Sequence, residues 1–284
     1  MKKAFAKDDA LLSAIRSAPE NEDQFHLWWL GQSGFLIKWQ SFCLLFDPYL
    51  SESLSVKYAN TDKPHVRITE RVIDPARLEF VQVVTSSHNH TDHLDAETLQ
   101  AMARVSPDLK LVLPAANVEF AKERLGSVQM EMIGMDDKQP VTIDPFTFHG
   151  ISAAHNEVER NKAGQPVFMG FVVQFGPWSI YHSGDTLWHK DLVSELCTHR
   201  IDLAFLPING NEPARRVAGN LNGSEAAALA KATGTRMVIP HHFDMFEFNT
   251  ADPNEFISCC HRLAQNHRVL QPGEGWNSKG LEPE

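Results

Sequence analysis

From Ser86 to Asp95 the chain reads SSHNHTDHLD, so that His88, His90, Asp92 and His93 crowd into six consecutive positions. The run follows directly on Phe80 to Thr85, an apolar, β-branched stretch that reads as a buried strand. The polar cluster is therefore delivered at the carboxyl end of a strand, where open α/β sheets place their ligands. Asp95 can cap a helix predicted from Ala96 to about Val105. Burying so many polar groups unpaired would be costly, which argues against a purely structural loop. Imidazole and carboxylate are ligands suited to zinc, iron or manganese. In an extended loop, residues two apart point the same way. His88 and His90 are thus expected to grip one ion, while Asp92 and His93, past the bend, face a second.

A loop this short cannot enclose two ions alone, so further ligands are expected at later strand ends. His155 follows the strand-like GISAA, Asp185 follows Tyr181-His182-Ser183-Gly184, and His241 or His242 follows Met237-Val238-Ile239-Pro240. A carboxylate can bridge two cations, and Asp185 is assigned that role.

The rest of the chain alternates strands and helices. Residues 1–24 read as a helical extension with a charged connection, and 25–284 as a single domain. Strands are predicted at His26 to Leu30, Phe35 to Trp39 and Phe42 to Phe46. The stretch from Ser51 to Arg77 is irregular, charged and proline-containing; loops of that length are usually functional or mobile. Beyond the helix at Ala96 come a strand at LKLVLP and a helix at AANVEFAKERLG. Strands are then predicted at Val141 to Phe148, Val167 to Phe175 and Trp178 to His182. Helices at Leu192 to Leu196, Gly223 to Ala232 and Asp252 to Gln265 alternate with strands at Leu203 to Leu206 and Met237 to Ile239. Ser224-Glu225 reads as the cap of the second of these helices. Gly273 to Glu284 reads as a tail without a strand. Strand-rich openings of both halves, each followed by helices, predict an α/β fold of two sheets packed face to face with helices outside.

Composition narrows the function. A formal net charge of -10 argues against a general nucleic-acid binder. It still permits an anionic substrate, because bound cations can reverse the field inside one pocket. The four cysteines form no CxxC pair, and two are adjacent, which reads as reduced thiols in a cytoplasmic protein. Asp8 and Asp9 interrupt a signal-like start, and no apolar run reaches membrane-spanning length. The expected partner is a small molecule, with no membrane and room for a homo-oligomer. Trp28, Trp29 and Trp39 are expected in the core, and His182 in a core hydrogen bond. In the polar loop from Asn209 to Asn220, Asn211 and Arg216 are candidates to seat an anionic substrate.

HNHTDH resembles the HxHxDH signature of the metallo-β-lactamase superfamily. Asp47-Pro48, His155, SGDT at Ser183 to Thr186 and PHH at Pro240 to His242 match its other motifs in order. The strings WWLGQSGFLI, YHSGDT, IDLAFLPING and VIPHHFDMF are similar to the L-ascorbate-6-phosphate lactonase branch. That branch shares HNHxDHLD with the N-acylphosphatidylethanolamine-hydrolysing phospholipase D group. The resemblance implies a four-layer αββα sandwich with a binuclear site along one edge. It implies His88, His90 and His155 on one metal, Asp92, His93 and His242 on the other, and Asp185 between them, with His241 as the alternative to His242. Asp47 would support the site by orienting a ligand. The metals would be two divalent ions, zinc or manganese, with iron left open.

On this reading two cations lower the pKa of a shared water, and the resulting hydroxide attacks a carbonyl or phosphoryl centre. Asp92 can take or relay a proton as well as bind metal. The expected activity is hydrolysis of a small lactone, ester or amide, with an anionic substrate among those allowed. A phosphodiesterase acting on nucleic acid or lipid is the alternative, and a metal-binding scaffold without catalysis a further one. Di-iron flavoproteins of this fold replace the second signature histidine by glutamate; His90 stands there instead.

Overall fold

The structure is a computed structural model and describes residues 1–281. Strands β1 (Phe25–Gly31) and β2 (Gly34–Trp39) are buried at every position, and β3 (Phe42–Phe46) at all but its first. Such runs belong to strands covered on both faces. Leu27, Trp29, Phe35, Ile37 and Phe46 point into the space between two sheets. Trp28, Leu30, Leu36 and Leu45, on the opposite face, pack outward.

These antiparallel strands continue in parallel through β4 (Val83–Thr85), β5 (Lys110–Pro114) and β6 (Glu131–Met135). A short β13 (Gly275–Asn277) closes the other edge, pairing antiparallel with β1. The second sheet begins as an antiparallel run of β7 (Val141–Ile143), β8 (Phe146–Ser152), β9 (Met169–Phe175) and β10 (Trp178–His182). It ends with β11 (Leu203–Pro207) and β12 (Met237–His241) in parallel.

Helices α1 (Asp8–Ser17), α3 (Ala96–Val105) and α4 (Val118–Leu125) cover the outer face of the first sheet through Leu11, Ile15, Leu99, Met102 and Leu125. Helices α5 (Leu192–Leu196), α6 (Gly223–Ala232) and α7 (Asn254–Leu263) bring Leu192, Ala227 and Phe256 to the second. The result is the expected αββα sandwich. Its two inner faces interlock through aromatic rings: Phe35 stacks on Phe205 at 3.8 Å, and Phe25 meets Trp178 edge-on at 5.2 Å.

The elements depart from expectation in several places, the strand expected from Phe80 being confined to Val83–Thr85. The edge strand β6 was not anticipated, because its half-exposed residues show no clean alternation. Val141 to Phe148 is not one strand but the start of a hairpin whose turn holds Asp144-Pro145. The tail contains β13, and its residues 282–284 lie outside the described ones. Asn222 rather than Ser224 caps α6, in a capping box with Glu225. Within the irregular stretch sits α2 (Ser53–Lys57), beside the site. Among the described residues no helix is long and apolar enough to cross a membrane.

Candidate metal centre

The loop after β4 is held at both ends. Ser86 N bonds to Val112 O at 2.9 Å, and Asp95 Oδ2 accepts from Thr98 N at the start of α3 at 3.2 Å. Between them His93 N and Leu94 N both bond to His90 O, at 3.1 and 2.8 Å. That tight turn gathers His88, His90, Asp92 and His93 on one side of the loop. The chain segments leaving β8, β10 and β12 bring His155, Asp185 and His242 to the same place.

Three groups of donors result, each with its ligand atoms within 4.8 Å of one another: His88, His90 and His155; His88, His93 and Asp185; Asp92, His93 and His242. Asp185 lies between the outer two. Its Oδ2 is 3.5 Å from His155 Nε2 and 3.3 Å from His242 Nε2, and its Oδ1 is 3.3 Å from His93 Nε2. His88 Nε2, His93 Nε2 and Asp185 Oδ1 are buried with no hydrogen-bond partner among the described residues. An orphaned buried polar atom costs about 1–3 kcal/mol, so several converging on one spot fit a cation-binding site. Nitrogen and carboxylate donors together suit a divalent transition ion.

The ring orientations agree with that fit. His155 Nδ1 lies 2.9 Å from Gly219 O, so it carries the proton and leaves the Nε2 lone pair free. His93 Nδ1 lies 2.7 Å from Asp47 Oδ2, with the same consequence. Asp47 is itself held by Thr85 Oγ1 at 2.7 Å and Ser87 Oγ at 2.5 Å.

Electrostatics mark where positive charge is wanted. Burial pushes Asp185 and Asp92 upward, but facing histidines outweigh it and hold both well below the usual carboxylate range: His242 and then His93 for Asp185, His93 and then His242 for Asp92. Burial likewise disfavours charge on His93 and His242. Asp185 and Asp92 together, joined at His93 by Asp47, outweigh it, raising His93 well above its ordinary value and His242 to about 9. His88 is driven well below by burial and by His93, and His90 down to about 4 by burial and by His155. Without cations, the carboxylates thus draw protons onto the two histidines nearest them.

His241 is not part of the cluster. It points into the sandwich, stacked on His182 with ring centres 5.2 Å apart, its Nδ1 3.1 Å from Ser33 Oγ. His182 Nε2 donates to Ser33 O at 2.8 Å, a core role as expected. Beside the cluster opens a cavity of about 560 Å³. Tyr58, His65, Phe246 and Phe248 form one wall, and Lys57, Arg124 and Arg216 bring positive charge to it. Trp28, Trp29 and Trp39 are all in the core and line none of it.

These positions separate the two substrate contacts expected in the polar loop: Arg216 reaches the cavity and Asn211 does not. Asn211 is exposed and does not line the cavity; it packs beside Gly219. Arg216 does line it, but its guanidinium is paired with Asp62. Arg124, at the end of α4, was missed. It donates to Asn89 O at 2.5 Å and Leu94 O at 3.3 Å, bracing the histidine loop from the cavity side. Gln32, in the turn between β1 and β2, was missed as well. Its Nε2 sits 2.8 Å from Asp92 Oδ2.

Two sheets packed between helices, with a histidine–carboxylate cluster where their strand ends meet, define the metallo-β-lactamase fold. The chain belongs to the β-lactamase superfamily, whose Beta-lactamase superfamily domain matches residues 44–243. It is 30% identical over 253 residues to a metal-dependent hydrolase of Opitutus terrae, covering 87% of this chain and 97% of that one. A probable L-ascorbate-6-phosphate lactonase of Escherichia fergusonii is 24% identical, over 81% of this chain and 73% of its own length. Among solved structures, a metallo hydrolase from Ignicoccus hospitalis superposes with a TM-score of 0.65 at 21% identity, covering 89% of this chain and 98% of that one.

Proposed function

We propose that the protein is a binuclear metal-dependent hydrolase of a small anionic lactone, ester or amide. The observation that carries this reading is the placing of Asp185 within 3.5 Å of His155 on one side and of His93 and His242 on the other. His88, His90 and His155 would hold one divalent ion, Asp92, His93 and His242 the other, and Asp185 would serve both. Such a pair, when bound, supplies an acidified water and polarises the electrophilic oxygen of the substrate.

The chain's own residues do the rest. Asp47 and Gly219 O fix the tautomers of His93 and His155. Asp92, partly exposed on the cavity wall, is placed to accept a proton at a carboxylate oxygen during attack and return it to the leaving group. The cavity's volume suits a small metabolite. Only one guanidinium nitrogen of Arg124 is engaged by the loop, so its remaining donors can meet an anionic group on the substrate. The similarity to metal-dependent hydrolases and to a probable lactonase supports the same class.

The test is a substrate panel with protein reloaded with zinc or manganese: anionic and neutral lactones, esters and amides, with bis-p-nitrophenyl phosphate beside them. Turnover of anionic carbonyl substrates, lost in Asp185→Asn, is the expected result. Turnover of the phosphodiester alone would move the protein to a different reaction, and no turnover of any member would overturn the proposal.

A further inference from the structure

Gln32 has no place in the ligand set above, yet its backbone and side chain are committed to that set. It is fully buried and adopts φ 49°, a left-handed conformation that a non-glycine residue takes up only when its surroundings impose it. His242, across the sandwich, is left-handed too, at φ 62°. The two are joined: His242 N donates to Gln32 O at 3.2 Å, and Trp29 Nε1 donates to the same carbonyl at 3.0 Å.

The side chain makes a second attachment. Gln32 Nε2 donates to Asp92 Oδ2 at 2.8 Å, and lies 3.1 Å from His242 Nε2 and 3.4 Å from His242 Nδ1. Those two ring distances are nearly equal. An amide in the ring plane, on the Nε2 lone pair, would sit much farther from Nδ1. The amide therefore rests against the ring face and leaves the lone pair free. Its oxygen, Oε1, is buried without a hydrogen-bond partner among the described residues.

One residue thus grips Asp92 and His242, two of the three members of one donor group, with no hydrogen bond to His88, His90 or His155 of the other. We infer that Gln32 is a positioning residue for the second metal position alone, setting the Asp92 carboxylate and the His242 ring before an ion arrives. The inference rests on the binuclear reading above. Outer partners of metal ligands typically contribute roughly 10–100-fold in affinity, and here the loss should fall on one ion of two.

The test is a cobalt(II) titration of metal-free protein, followed by visible absorption and by calorimetry, on wild type, Gln32→Met and Gln32→Glu. Methionine keeps the length and removes the donor; glutamate keeps the shape and sets a like charge against Asp92. In both variants the second equivalent should weaken roughly 10–100-fold and the first should not move. The altered ligand field of the second ion should show as a changed absorption band, which a merely structural role would leave alone. If Gln32→Met does not fold, as judged by thermal unfolding of the metal-free protein, Gln32→Glu carries the test. Should neither variant fold, Gln32 is a scaffold residue and the inference fails. Equal weakening of both equivalents, or no change in either, also overturns it. A wild type that binds a single equivalent would instead defeat the binuclear reading.

Discussion

The Asp47 carboxylate lies 2.7 Å from His93 Nδ1, and neither side chain has any exposed surface. Asp47 itself sits at φ 35°, strained for a residue with a side chain, at the end of β3. Its two oxygens are saturated by Thr85, Ser87 and His93, so the strain positions a fully bonded acceptor. Asp47 therefore holds a proton on His93 Nδ1, so that Nε2, which faces Asp92 and Asp185, is the atom left to give its lone pair to an ion.

Asp47→Asn separates that orientation from the fold. The amide keeps the shape and one acceptor oxygen, but its NH₂ group, set against His93 Nδ1, favours the tautomer with hydrogen on Nε2. Metal affinity should then fall by roughly 10–100-fold while far-UV circular dichroism stays the same. An unchanged binding isotherm would show that Asp47 does not set the tautomer.

Removing metal should cost stability. An ion that binds only the folded chain stabilises it by about 2.7 kcal/mol when free ion stands a hundredfold above its dissociation constant. At roughly 2–4 °C per kcal/mol, chelation should lower the thermal midpoint by several degrees, and added zinc or manganese should restore it. Asp185→Asn removes the carboxylate that His93, His155 and His242 all face. In that variant most of the metal-dependent rise should vanish. A wild-type midpoint indifferent to both metal and chelator would contradict a metal centre here.

What could be read in advance follows the range of the interactions. The histidine loop was legible because its donors are neighbours in sequence and leave a buried strand together. The placing of His155, Asp185 and His242 beside it is set by the packing of two sheets, so the residue pattern alone offered only strand-end candidates. Gln32 went unnoticed because Gln-Ser between Gly31 and Gly34 reads as an ordinary turn. Its φ and its reach to Asp92 exist only once β1, β2 and β12 are assembled. The pairing of Arg216 was not legible because its partner, Asp62, lies in the irregular stretch far back in the chain. β13 is three residues long and owes its existence to β1 at the opposite end of the sequence.

The interior between the sheets should be unforgiving. Phe35 is completely buried, stacks on Phe205 across the sandwich at 3.8 Å, and borders the rings of His182 and His241. Phe35→Ala removes a large ring from close-packed surroundings, at a cost of about 3–5 kcal/mol. Phe5→Ala deletes a ring that is 62% exposed and should stay within about 0.5 kcal/mol of wild type. Denaturant unfolding of the two variants makes the comparison, and equal effects would mean that the stacked pair does not anchor the sheets.

The thiols provide a pH-dependent test of the same core. Cys197 is exposed, whereas Cys43, Cys259 and Cys260 are buried. Iodoacetamide at pH 8 should therefore modify one site per native chain, and Cys197→Ser should abolish that modification. Burial pushes the Cys43 thiol up to about 12, against a small opposing pull from Lys38, and pushes Cys260 up to about 12 as well. A folded-state pKa above the ordinary value of 9.0 means that the native chain holds these protons more tightly than the unfolded one. The stability they contribute is intact below pH 9 and is lost as pH rises toward 12. Thermal midpoints measured from pH 8 to pH 11 should accordingly fall, and the alkaline fall should be shallower in Cys43→Ala, whose small side chain has no proton to lose. Rapid alkylation of Cys43 at pH 8 in the folded protein would show that the first sheet's outer layer opens far more readily than its packing against α1 and α3 allows.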